Sequence, residues 1–189
     1  MKTSEINKGK FSLSTELIAI ASITSLVLTL LTPTSVHASC ASPLDDGGFE
    51  QQTTGSVLKP WFREGQAGID LNKGLSLTGR NNAWIRNSKG WNGIRQPVKL
   101  TAGSTYTVTA RVRTSGNLSD GYFGFRNAQQ KPVAEIKFGA MASYKELKAV
   151  FRPQQSGTYY VFTGLWALNQ DTWAQVDEFR MTGGSCADT

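Results

Sequence analysis

Histidine is nearly absent from this chain of 189 residues, with His37 its only copy, and cysteine is limited to Cys40 and Cys186, 146 positions apart. A Ser-His-Asp or Cys-His nucleophile cannot be built on a lone histidine expected to leave with a cleaved leader. A zinc site needing imidazole goes with them. The cysteine spacing excludes a CxxC redox pair and a four-thiolate metal knuckle. Helical periodicity is missing too: no window offers three clean turns with apolar residues on one face. Basic residues are dispersed instead of forming a run, and +6 is modest for the length, so nucleic acid is not expected as a partner. The acids lie mainly beside Gly, Asn or Lys in turn-like contexts. No pair occupies an apolar strand that would raise one pKa for acid catalysis, so a non-enzymatic protein is expected. At 39% hydrophobic and 18% charged, the composition suits one folded domain.

One long apolar run is present. Lys2, Lys8 and Lys10 precede the charge-free stretch 17–31, whose 15 residues reach about 22 Å as a helix, short of the ~30 Å hydrocarbon layer. Pro33 follows, and Val36-His37-Ala38 places small or branched residues before a cut after Ala38. A signal peptide over 1–38 is expected, releasing a single domain, 39–189, outside the cell or into a periplasm with no membrane contact. The alternatives are an uncleaved anchor or a lipoprotein acylated on Cys40. Cleavage would leave 151 residues, 17 basic and 12 acidic, and no histidine. Export permits a Cys40–Cys186 disulfide, which in the chain-entropy model stabilises by about 4–5 kcal/mol. Such a bridge requires the two ends to be neighbours, which suits a sandwich whose first and last strands pair.

From Gly48 onward the signals are those of strands. Tyr106, Val108, Ala110 and Val112 alternate with Thr105, Thr107, Thr109, Arg111 and Arg113. Ile94, Gln96, Val98 and Leu100 mark a strand before it, and 122–126, 133–138, 146–151, 159–168 and 173–181 continue the pattern. Turn residues separate them, such as Ser115-Gly116-Asn117 and the segment 153–157. Short strands at this spacing predict an all-β, antiparallel β-sandwich.

Three stretches carry a resemblance: Asp46-Gly-Gly-Phe-Glu50, the run from Gly93 to Val112, and Val176-Asp-Glu-Phe-Arg-Met181. In this order they resemble the jelly-roll carbohydrate-binding modules, in the group containing families four, nine and twenty-two, the cellulase-C type with a galactose-binding-like fold. The likeness extends from about Asp46 to Met181. It departs from the family at Asp45-Asp46-Gly47-Gly48, where an asparagine-rich turn is usual, and at Tyr144, where a tryptophan is common. Such modules usually accompany a catalytic domain, so the resemblance implies a free-standing, lectin-like module that binds polysaccharide. It also implies a structural calcium between the first and last strands, with Gly48, Glu50 and Asp177 at the matching places and Asp70 or Asp46 as possible additions.

Sugar recognition needs flat apolar faces for pyranose rings and planar polar groups for hydroxyls. Trp84 and Arg86 share a strand face, Trp91 sits in the glycine-flanked Lys89-Gly-Trp-Asn-Gly93, and Trp173 is opposite in parity to Ala174 and Val176. Phe123 and Phe125 take core parity, which leaves Tyr122 and Arg126 outward, where a groove shared with Arg111 and Arg113 is expected. The expected ligand contacts are therefore Trp84, Arg86, Trp91, Tyr122, Arg126 and Trp173. Arginines at 86, 95, 111, 113 and 126 favour an anionic glycan. The competing expectation is a secreted module that binds another secreted protein, as an inhibitor or adhesion partner, because exposed tryptophans also serve protein interfaces.

Overall fold

A computed structural model describes residues 43–184, which form eight antiparallel strands and no helix. The leader, His37 and the Cys40–Cys186 bridge lie outside the described residues. The strands are β1 (Phe62–Glu64), β2 (Ala67–Leu71), β3 (Asn81–Leu100), β4 (Tyr106–Thr114), β5 (Gly121–Arg126), β6 (Pro132–Phe138), β7 (Lys145–Phe151) and β8 (Gly157–Gly183).

Pairing runs unbroken through all eight because β3 and β8, of 20 and 27 residues, lie side by side and cross from one layer of the sandwich to the other. Their first-layer halves, Lys89 to Leu100 and Gly157 to Leu168, are flanked by β1 on one side and by β5 and β6 on the other. Their second-layer halves are flanked by β2 on one side and by β4 and β7 on the other. The segments 159–168 and 173–181, expected as separate strands, are thus one strand. They join through a corner where the register slips between Asn87 and Lys89 on the β3 side. Gly90 and Asn169 take left-handed φ of 64° and 61° there, which glycine and asparagine tolerate best.

The buried Asn92 side chain holds that corner. Its carbonyl oxygen accepts from Gln66 N and Asn87 Nδ2, both at 2.9 Å, and its amide donates to the carbonyls of Lys89 (3.1 Å) and Gly90 (3.0 Å). Each long strand changes inward parity across the corner. Ala83 and Ile85 face the core before it and Ile94 and Val98 after it in β3; Val161 and Leu165 face the core before it and Ala174 and Val176 after it in β8. β4 keeps simple alternation, with Val108, Ala110 and Val112 inward.

The beginning of the described chain packs on its end, as the sandwich reading expects. The Gly47 carbonyl accepts from Phe179 N at 2.9 Å, and the Gln96 amide bonds Asp45 through both its donor and its acceptor. Phe49, Trp61 and Phe179 form an aromatic cluster with centroids 4.7–6.4 Å apart, and Trp61 Nε1 donates to the Asp46 carbonyl. Each such buried ring stabilises by roughly 1.5–3 kcal/mol.

Candidate functional site

The expected ligand residues separate into two groups on different layers. Trp84, Arg86 and Trp173 stand together on the outer face of the second layer, where a cleft of about 540 Å³ is lined by them and by Asp70, Lys73, Leu75, Arg113 and Gln175. In the β3–β8 ladder, Trp84 is opposite Gln175 and Arg86 is opposite Trp173. The two tryptophans are therefore diagonal neighbours, roughly 7–8 Å apart at Cα. Trp84 lies flat on β2, since a Cβ at Gly68 would come within 2.5 Å of its indole.

The polar floor between these rings is already ordered. Asp70 accepts from Lys73 Nζ (2.9 Å), Gln175 Nε2 (3.1 Å) and Asn82 Nδ2 (3.4 Å). Arg113 Nε donates to Gln175 Oε1 at 2.6 Å, while its Nη2 and the Tyr144 hydroxyl both donate to the Leu75 carbonyl, at 3.1 and 2.8 Å. Burial pushes the Tyr144 phenol up to about 12, so it stays a neutral donor. Arg86 pairs with Asp171, Nε to Oδ1 at 2.9 Å.

The loop between β2 and β3 forms one wall. Asp177 accepts from Leu77 N (2.8 Å), Thr78 N (3.0 Å) and Glu178 N (2.7 Å), and Glu50 Oε1 accepts from Arg80 N and Asn81 N at 2.9 Å each. Burial holds Asp177 above the usual carboxylate range, against the pull of those three donors. These two acids were expected to bind calcium with Gly48. Glu50 Oε1 and both Asp177 oxygens receive backbone N–H groups, and no three Asp, Glu, His or Cys side chains converge among the described residues.

Trp91, Tyr122 and Arg126 belong to the outer face of the first layer, away from Arg111 and Arg113, which β4 carries on the second. The groove expected to join Tyr122 and Arg126 with Arg111 and Arg113 does not form. Glycine around Trp91 signals close aromatic approach, not a loop: the indole lies over Gly93 and Gly164, where a Cβ would approach it to 3.0 and 2.4 Å. Trp91 Nε1 donates to Glu64 Oε2 at 2.6 Å, and Arg126 Nη1 meets the same oxygen at 3.0 Å. The Arg126 guanidinium sits 4.6 Å from the Trp91 ring centroid and 3.9 Å from that of Phe162, which is thereby buried although it faces outward.

Sequence reasoning missed Lys73, Leu75, Arg113 and Gln175 as cleft residues. Their approach depends on the pairing of β4 with β8 and on the loop wall, and neither leaves a local signal.

No protein-family model and no characterised protein sequence matches the chain. Solved structures do. TmCBM61 in complex with β-1,4-galactotriose superposes with a TM-score of 0.55 at 16% identity, covering 75% of this chain and 97% of that one. The CBM22-1 xylan-binding domain from Paenibacillus barcinonensis Xyn10C gives 0.51 at 11%, covering 70% and 90%. The fold is that of the jelly-roll carbohydrate-binding modules. A cyclase from Fischerella sp. TAU shares it as well, with a TM-score of 0.61 at 14% identity over 77% of this chain and 98% of the cyclase. One scaffold thus carries both binding modules and an enzyme, and the site must decide between them.

Proposed function

We propose that this protein binds a polysaccharide without modifying it, in the second-layer cleft. The observation that carries the reading is the pair Trp84 and Trp173 on adjacent strands, with Gln175, Arg113 and Asp70 between and beside them. Two flat rings can stack on successive sugar faces, and the amide, guanidinium and carboxylate can hydrogen-bond hydroxyls in the ring plane. Asp70 has both oxygens engaged and Asp177 is bound to backbone, which supports recognition over acid catalysis. Four of the five mid-chain arginines face a carboxylate: Arg86, Arg95, Arg111 and Arg126. Arg113 is left to favour an acidic sugar. The protein acts outside the cell, after removal of 1–38, with Cys40 bridged to Cys186.

A glycan array that includes polygalacturonate tests this, with Trp84→Ala and Trp173→Ala as controls. Each substitution should cost about 2 kcal/mol, near 30-fold in affinity. Retention on polygalacturonate should fall as salt rises. Binding that survives both substitutions removes the site. Failure to bind any glycan removes the function and leaves a protein partner as the use of the cleft.

A further inference from the structure

The first layer carries a tryptophan that the cleft does not use. Trp166, on β8, is 50% exposed, and Leu168 beside it is 56% exposed. Its surroundings explain why. Its cross-strand partner Trp91 turns its ring onto Gly164, and Arg126 packs against that ring, so neither covers Trp166. Two depressions meet at its side chain. One, of about 360 Å³, also contains Tyr122, Gln130 and Glu135; the other, of about 150 Å³, contains Asn117, Ser119 and Gln170. In the larger one Gln130 Oε1 and Arg126 Nε are shut off from solvent with no hydrogen-bond partner among the described residues.

We infer that Trp166 is the stacking platform of a second saccharide site, on the other layer of the sandwich from the cleft. The inference rests on the reading that this chain recognises glycans. A sugar fits better than a protein here, because the exposed apolar surface is one indole and one leucine ringed by amides and hydroxyls. Protein interfaces are marked by larger contiguous apolar patches, above roughly a few hundred Å². The charges point to a neutral glycan: Glu64 faces both Arg126 and Arg95, Glu135 in the same depression supplies the second negative charge, and Asp120 at the rim faces Lys137. With a site on each layer, the module would hold two chains, or two segments of one, and its retention on a polymer would exceed the affinity of either site.

The indole Nε1–H signals of the full-length, 15N-labelled protein report each tryptophan separately, and Trp166→Phe assigns the one at issue. Cellohexaose, xylohexaose and β-1,4-galactotriose, with an oligogalacturonate for the cleft, serve as probes for the wild type and for a Trp84→Ala/Trp173→Ala variant. The Trp166 signal should shift with at least one probe and keep shifting when the cleft is removed. Trp166→Ala should leave cleft binding intact while lowering retention on an insoluble polysaccharide at least 10-fold. Being a surface change, it should not alter the dispersion of the amide spectrum. If the cleft indoles move and Trp166 does not, the second site falls and the cleft reading stands. If no probe moves any indole, both fall.

Discussion

Glu64 sits in a three-residue edge strand, a place where substitution is usually harmless, yet Glu64→Ala should destabilise the domain markedly. Its Oε2 accepts from Trp91 Nε1 and Arg126 Nη1, and its Oε1 lies 3.1 Å from Arg95 Nε. The side chains are 18%, 11% and 26% exposed for Glu64, Arg126 and Arg95. Removing one partner of a buried pair costs about 3–5 kcal/mol, because the remaining charge is stranded. Arg95 keeps enough solvent to discount its share, and a total of about 2–3 kcal/mol results. At roughly 2–4 °C per kcal/mol, the melting temperature should drop by about 5–10 °C. Glu64→Gln keeps an acceptor for the indole but no charge, and should lose less. Guanidinium denaturation should show a lower midpoint at an unchanged slope, and a Glu64→Gln/Arg126→Gln cycle should give a coupling of about 1 kcal/mol or more. A Glu64→Ala variant within about 0.5 kcal/mol of wild type, or a cycle with no coupling, would refute the idea that this carboxylate organises the first layer's outer face.

The Asn92→Ala variant removes four hydrogen bonds at the corner and should cost about 2–4 kcal/mol, read as a lower denaturation midpoint; an unchanged midpoint would mean the corner holds without it. Gly164→Ala forces the Trp91 indole off its seat and should cost about 1–3 kcal/mol, with a shift in tryptophan emission as the check. Because burial raises the Asp177 pKa in the folded state, the proton binds more tightly folded than unfolded. The stability this group contributes is therefore complete below its unfolded value and is lost as pH rises through its folded one. Calorimetric melting from pH 3 to 7 should show that loss in wild type and a flatter profile in Asp177→Asn, which also melts lower because its carboxamide turns a donor toward backbone N–H groups; equal slopes would contradict it. Calcium and EDTA should leave the melting temperature where it is, because Glu50 Oε1 and both Asp177 oxygens already hold backbone N–H groups; a rise of several degrees with calcium would contradict this.

Local alternation carried as far as the corner and no further. In β4 a period of two is uninterrupted, so its sequence assigns every side chain to a face correctly. The same rule turned Trp84, Arg86 and Trp173 outward, and the pairing of β3 with β8, which no local pattern reveals, brings the three onto one surface. It could not join Tyr122 to its real neighbours: which layer β5 enters depends on its pairing with the early half of β8, a contact some 40 residues distant in sequence. Phe162 shows a second limit. Its parity is outward and its burial complete, because a guanidinium covers it, and no pattern of apolar residues encodes that.

The corner also accounts for how the tryptophans are distributed. Trp84 and Trp91 are seven residues apart on β3, and so are Trp166 and Trp173 on β8. In an uninterrupted strand an odd separation sends two side chains to opposite faces, one of them into the core. Each long strand instead changes parity at the corner, so all four rings face outward, two per layer. The pairs then diverge. On the second layer, Gly68 leaves room for Trp84 to lie back and the polar floor fills the space beside it, which opens a cleft. On the first, Gly93 and Gly164 let Trp91 collapse onto the sheet beneath Arg126, which leaves Trp166 standing alone. Small residues opposite each ring, more than the rings themselves, decide which tryptophans are offered to a ligand and which are spent on the fold.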